Sequence, residues 1–186
     1  MRIGIDPGWA SFGVAIEHDG KTIFKDSYIP RDHEEDICTF IKFLVSRLLH
    51  ASDVLADDLL KTGITPGAAL EIMKLTDVYI ERFVAYKGIH SDMSEKILML
   101  IGALNYEFTR YGAKVHMVRA IDWKPKVCKY LVRTQGFNNP NPSFDKKFSI
   151  AAANALSGGS SKVDHEADAI CLSYLGLVDI YNQGKK

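Results

Sequence analysis

Apolar residues crowd the first positions of the chain, Met1-Arg2-Ile3-Gly4-Ile5, and the run stops at Asp6 followed by Pro7-Gly8. A short apolar run closed by turn residues predicts a buried strand over residues 2 to 7. Ser11 to Glu17 alternates and predicts a second strand. His18-Asp19-Gly20-Lys21 then carries the Asp-Gly signature of a tight hairpin leading into a third strand, Thr22 to Tyr28. Asp32 to Asp36 supplies an acidic helix start. After it Ile37, Phe40, Ile41, Leu44, Val45 and Leu48 recur at helical spacing, which predicts a helix ending near His50.

Residues 51 to 75 show helical patches broken by Thr62-Gly63-Ile64-Thr65-Pro66-Gly67, and read as an inserted helical excursion. Asp77 to Phe83 returns to strand character, Ser94 to Thr109 is helical, Val115 to Ile121 is a fifth strand and Lys124 to Val132 a short helix. Gly136 to Pro142 is a loop by its density of turn residues. A helix over Asp145 to Ala155, a link at Ser157-Gly158-Gly159-Ser160 and a last helix over Val163 to Tyr181 complete the chain. This order predicts an α/β fold, a mixed five-stranded sheet flanked by helices, in one domain covering 1–186.

Composition narrows the classes. With 186 residues, 47% of them hydrophobic, the chain has enough apolar surface for a full core. No run approaches the ~20 apolar residues that span a bilayer, and the N-terminus lacks a basic-then-apolar signal pattern, so a soluble cytoplasmic protein without a membrane partner is expected. Cys38, Cys128 and Cys171 are widely spaced without metal-finger spacing, and read as reduced core residues. The net charge of +0 hides an asymmetry: Glu34 to Asp58 holds six acids against two cations, whereas Arg119 to Lys147 holds seven cations against two acids. The second stretch, which includes Lys124, Lys126, Lys146 and Lys147, reads as a phosphate-contacting surface or as an ordinary solvated face.

Candidate chemistry sits at the two extremities. Asp6 ends the first strand and Glu81 lies near the end of the fourth. If those strands are neighbours, both carboxylates meet at the edge where open α/β sheets bind ligands. Asp164, His165 and Asp168 share one side of a helix start. Each has a structural alternative: Asp6-Pro7-Gly8 as a turn, Glu81 as a partner of Arg82 or a lysine, Asp164 and Glu166 as capping groups. Asp168 differs, because it falls a turn further in among Ala167, Ala169, Ile170 and Leu172, where an acid needs a partner such as a metal ion. The remaining histidines, His18, His33, His50, His90 and His116, read as surface or core residues.

Strand-terminal Ile5-Asp6-Pro7-Gly8, a glutamate closing an apolar strand, and a C-terminal helix with His165-x-x-Asp168-Ala169, in this order after a three-strand start, resembles the RuvC-type Holliday junction resolvases of the ribonuclease H-like superfamily. The similarity spans nearly the whole chain. It matches Asp6 to the family's first-strand aspartate, Glu81 to its fourth-strand glutamate, and His165 and Asp168 to the final pair, with Asp164 a neighbour at another offset. Lys124 matches the lysine after the fifth strand, and Lys146 or Lys147 the one at the next helix, both of which the family uses to hold DNA. The position of the family's branch-point aromatic is Val84, flanked by Phe83 and Tyr86. In place of a glycine-rich stretch between the lysines stands Arg133-Thr134-Gln135-Gly136-Phe137 and an Asn/Pro-rich loop, which suggests a divergent bacteriophage or viral branch.

The resemblance implies a metal-dependent endonuclease that resolves Holliday junctions by paired nicks, with forks and flaps as further branched substrates. Asp6, Glu81, His165 and Asp168 would hold two Mg2+ or Mn2+ ions, with His165 as a ligand or water-orienting base. Two cuts in a symmetric junction imply a homodimer, for which Leu98, Ile101 and Leu104 offer either a dimer face or core. The alternatives are a ribonuclease H-like enzyme acting on RNA–DNA hybrids and a non-catalytic branched-DNA scaffold. An actin-like ATPase needs a second domain, for which the length leaves no room.

Overall fold

The computed structural model describes residues 1–30, 37–61, 77–84, 91–139 and 143–184. The opening strands form as their patterning dictates: β1 (Arg2–Asp6), β2 (Phe12–His18) and β3 (Lys21–Tyr28). His18 pairs with Lys21 across a two-residue turn whose Asp19 and Gly20 have φ of 48° and 77°. Only that left-handed pair matches the twist of the flanking strands, which is why Asp-Gly stands there. β4 (Asp77–Glu81) and β5 (Lys114–Val118) complete a five-stranded sheet of order β3-β2-β1-β4-β5. β2 runs antiparallel to β1 and β3, whereas β4 is parallel to both β1 and β5. This is the mixed α/β sheet that the sequence predicts.

Helices cover both faces. On one, Ile3, Ile5, Val14 and Ile80 pack against Phe40 and Leu44 of α1 (Ile37–Lys61) and Leu100 and Leu104 of α2 (Ser91–Arg110). On the other, Ala15 and Tyr79 meet α3 (Ala120–Gln135), α4 (Lys146–Ser157), α5 (Asp164–Ser173) and α6 (Leu175–Gln183). Asp145 caps α4 by accepting from the backbone N–H groups of Lys147 and Phe148, and Gly136 and Gly158 close α3 and α4 in the left-handed conformation.

Several boundaries differ from the sequence reading. α1 does not stop near His50 but runs to Lys61, since no glycine or proline interrupts it before Gly63. Residues 51 to 61 of the expected excursion therefore belong to α1, and residues 62 to 75 lie outside the described residues. So do Asp32–Asp36, His33, Tyr86, His90 and Pro140–Pro142. The fifth strand ends at Val118 rather than Ile121, and α3 begins at Ala120. Arg119 turns the chain there: its carbonyl accepts the N–H groups of Asp122 and Trp123, and its guanidinium holds the Asp122 carboxylate at 2.7 Å. Pro125, which suggests a helix start, sits more than a turn inside α3.

The last helix is two, α5 and α6, parted at Tyr174, where Ser173 Oγ donates back to the Ile170 carbonyl and the Tyr174 hydroxyl donates to the Gly20 carbonyl. Cys171 is buried and Cys128 partly so, but Cys38 is exposed rather than core. On α2, Ile101 and Leu104 face the core whereas Leu98 is 56% exposed, so these three do not share one face. His116 binds Asp77 at 2.7 Å and stacks on Tyr79.

One packing feature sets the position of α5. A Cβ on Gly4 would strike the Ala169 carbonyl and the Ser173 amide, and one on Gly13 would strike the His165 carbonyl. Backbone thus lies on backbone where α5 crosses β1 and β2. Gly4→Ala should cost about 3 kcal/mol, the upper end of overpacking penalties, a fall of about 6–12 °C in Tm for a chain of this size. Gly102→Ala on α2, where an added Cβ meets nothing, should gain about 1 kcal/mol of helix propensity instead. Calorimetry of both variants checks this; a Gly4→Ala melt matching the wild type would mean that α5 is not held by this contact.

Candidate active site

Parallel pairing of β1 with β4 aligns Ile5 with Ile80, so the next residues, Asp6 and Glu81, close adjacent strands at the same edge of the sheet. α5 crosses above that edge on its glycine seat. Its first turn carries Asp164 and His165, and its second Asp168. His165 Nδ1 meets Asp6 Oδ2 at 2.5 Å, which joins the two ends of the chain. The four residues that the sequence singles out therefore gather in one place.

Burial makes this gathering electrostatically costly. Glu81 is pushed from 4.5 up to about 7, first by desolvation and then by the charges of Asp6 and Asp168. Asp168 is raised by burial, against the pull of Lys124, with Asp6 adding to the rise. His165 is raised by its bond to Asp6, which outweighs desolvation. Asp164 is the exception: burial opposes its ionisation, but the bond from Lys146 and the His165 charge hold its carboxyl below the usual range. Three acids that repel one another in a partly dry site are what a cation would stabilise.

Some of these oxygens are already engaged. Lys124 Nζ donates to Ser149 Oγ at 3.1 Å and to Asp168 Oδ2 at 3.4 Å, while Asp168 Oδ1 is buried with no hydrogen-bond partner among the described residues. The Trp123 indole N–H donates to Glu81 Oε2 at 2.9 Å. Among the described residues no three acidic, histidine or cysteine side chains lie close enough to grip one ion at once. The donor set is nonetheless one of hard oxygens with a buried oxygen to spare, which suits Mg2+ or Mn2+.

The basic candidates scatter. Lys124 is in the site, and Lys146, largely exposed, binds Asp164 on the rim at 2.5 Å. Lys147 is exposed beside it. Lys126 lies two positions from Lys124, hence round the helix from it, and binds Asp179 at 3.1 Å. Sequence reasoning passed over Trp123 and Ser149. A tryptophan directly before the matched lysine was a usable signal for the first; a serine one turn into a helix carries none. A cavity of about 410 Å3 opens beside Asp6 and Glu81, walled by Arg82, Val84, Arg119 and Ile121. A larger one of about 780 Å3 lies between α1 and α2, far from these carboxylates, and its Glu107 is tied to Arg110.

No protein-family model matches the chain, and no curated protein matches it either. Solved structures do. RuvC of T. thermophilus in complex with a Holliday junction substrate superposes with a TM-score of 0.59 at 13% identity, over 97% of this chain and 95% of that one. Another structure of Thermus thermophilus RuvC gives 0.54 at 15% identity, over 98% and 96%. The fold is thus the one found in RuvC, as the resemblance implies.

The raised carboxyls fix a stability trend in metal-free protein. Between pH 4.5 and about 7 the folded state holds a proton on Glu81 that the unfolded state has lost, so stability falls as pH rises through that window. Asp168 and His165, both raised, act in the same sense. Thermal melts in EDTA should show Tm falling across this range, and Glu81→Gln should flatten the fall and melt above wild type at its alkaline end. A wild-type Tm that instead climbs with pH would contradict the repulsion.

Proposed function

We propose that this protein is a divalent-metal-dependent endonuclease that cuts branched DNA, four-way junctions foremost. The observation that carries the reading is the convergence of Asp6, Glu81 and Asp168 at one sheet edge with His165 bonded to Asp6. The RuvC fold supports it, since one of the structures sharing that fold was determined with a Holliday junction substrate.

In this reading Asp6, central in the sheet, would hold Mg2+ or Mn2+ together with Glu81 on one side and Asp168 on the other. Bound ions would supply Lewis-acid activation of the attacking water and neutralise charge on the leaving 3′ oxygen. The protein's own part is positional and protonic. Strand ends and a helix seated on backbone leave the acids little freedom, so they are oriented before substrate arrives. With Nδ1 held by Asp6, His165 keeps Nε2 to orient a water or take up a proton at the attacking oxygen. Because its imidazole is raised, that role strengthens as pH rises and the proton leaves.

Lys146 and Lys147 on the rim, with Lys124 in the site and Lys126 behind it, are assigned to phosphates. Paired cuts require two copies of the chain, and the outer face of α2, with Leu98, Met99 and Tyr106 more than half exposed, is the surface assigned to that contact.

Incubation with labelled four-way junction, fork, linear duplex and RNA–DNA hybrid, with Mg2+, Mn2+ or EDTA, tests the function. Paired, metal-dependent nicks near the branch point are expected, and Asp6→Asn should lower their rate at least about 1,000-fold, as when one member of a concerted set is removed. Hybrid cutting alone would move the assignment to a ribonuclease H, and tight junction binding without cleavage would leave a scaffold. Separately, Lys147→Ala should weaken junction binding in EDTA and reduce the slope of log affinity against log salt by about 1. An unchanged slope would remove Lys147 from the DNA path.

A further inference from the structure

Trp123 lies in the first turn of α3, almost wholly buried, with its ring in the cluster that docks α3 and α5 onto the sheet. A buried indole commonly gives its N–H to some acceptor, and a backbone carbonyl would serve packing equally well. Here the acceptor is Glu81, one of three acids that repel one another. The following residue, Lys124, reaches Asp168 on the opposite flank, and its ammonium lies 5.1 Å above the Trp123 ring. Consecutive residues of one helix turn therefore hold one oxygen of Glu81 and one of Asp168. Among the described residues neither Glu81 Oε1 nor Asp168 Oδ1 has a hydrogen bond.

The choice of donor matters chemically. A lysine or arginine at this point would discharge Glu81 and compete with any cation for it. A neutral N–H fixes the carboxylate's rotamer and leaves its charge in place, as partners behind a metal ligand do. We infer that Trp123 is a positioning residue: its N–H commits Glu81 Oε2 so that Oε1 is left for a divalent cation on the flank that Glu81 shares with Asp6, an inference that rests on the metal-nuclease reading above.

The chain has two tryptophans, Trp9 and Trp123, so Trp9→Phe leaves Trp123 as the sole indole reporter. Titrating that protein with Mn2+ alone should change its emission. In the otherwise wild-type chain, Trp123→Phe should weaken Mn2+ binding by calorimetry about 10–100-fold, and lower kcat on a four-way junction by a similar factor. Junction affinity in EDTA should stay unchanged, which a loss of α3 docking would not allow. Replacing Trp123 with benzothienylalanine, which keeps the ring and loses the N–H, should reproduce both losses, and stands in should Trp123→Phe not fold.

Mn2+ affinities equal to wild type in these variants would overturn the inference while leaving the nuclease reading intact if wild type cuts. Wild type that binds Mn2+, with the expected losses in the variants, yet cuts no DNA would uphold the positioning and sink the nuclease. Wild type that binds no Mn2+ would overturn both.

Discussion

The geometry of this protein depends on a contact between backbones. α5 crosses β1 and β2 where Gly4 and Gly13 leave no side chain between helix and sheet, so that the Ala169 and His165 carbonyls lie where Cβ atoms would otherwise be. A helix held off by even one methyl group on each strand would carry His165 and Asp168 away from Asp6. Close-packed interiors transmit such shifts rather than absorbing them. The site is therefore specified as much by two missing side chains in β1 and β2 as by the acids themselves.

Bringing the acids together creates the second constraint, which is charge. Asp6, Glu81 and Asp168 face one another in a partly dry site, and each is given an incomplete partner. Asp6 has His165, Glu81 a neutral indole, and Asp168 a lysine at 3.4 Å that it shares with Ser149. Glu81, whose indole partner carries no charge, is pushed up to about 7, first by desolvation and then by Asp6 and Asp168. Perturbed acids of this kind cluster at functional sites, and structural ion-pair networks also produce them.

Much of this was legible in the sequence because it is local. The Asp-Gly turn, the strand ending at Asp6 and the spacing of Asp164, His165 and Asp168 each follow from residues a few positions apart. What escaped is long-range or set by competition. Gly4 looks like a small strand residue until α5 is laid on it, and Trp123 looks like core until Glu81, 42 positions earlier, is found at its nitrogen. Ala120 and Ile121 are apolar enough to extend a strand, but the Arg119–Asp122 pair and the first-turn amides claim them for α3. Past His50 the helical pattern runs into the break signals at Gly63 and Pro66, which mask the helix formers before them.

The basic stretch from Arg119 to Lys147 shows the same limit and ends in a different physical picture. Counted along the chain it carries a large positive excess, yet in the fold Lys124, Lys126 and Lys146 are each bound to an acid from the C-terminal helices, Asp168, Asp179 and Asp164. At these three positions an approaching anion would meet an ion pair. Exposed pairs such as Lys126–Asp179 and Lys146–Asp164 contribute little to stability and exchange readily. Lys124, with Asp168 and Ser149 around it and little solvent to screen the pair, does not. The cations free to exchange partners are therefore those on the rim, while Lys124 stays with the interior acid.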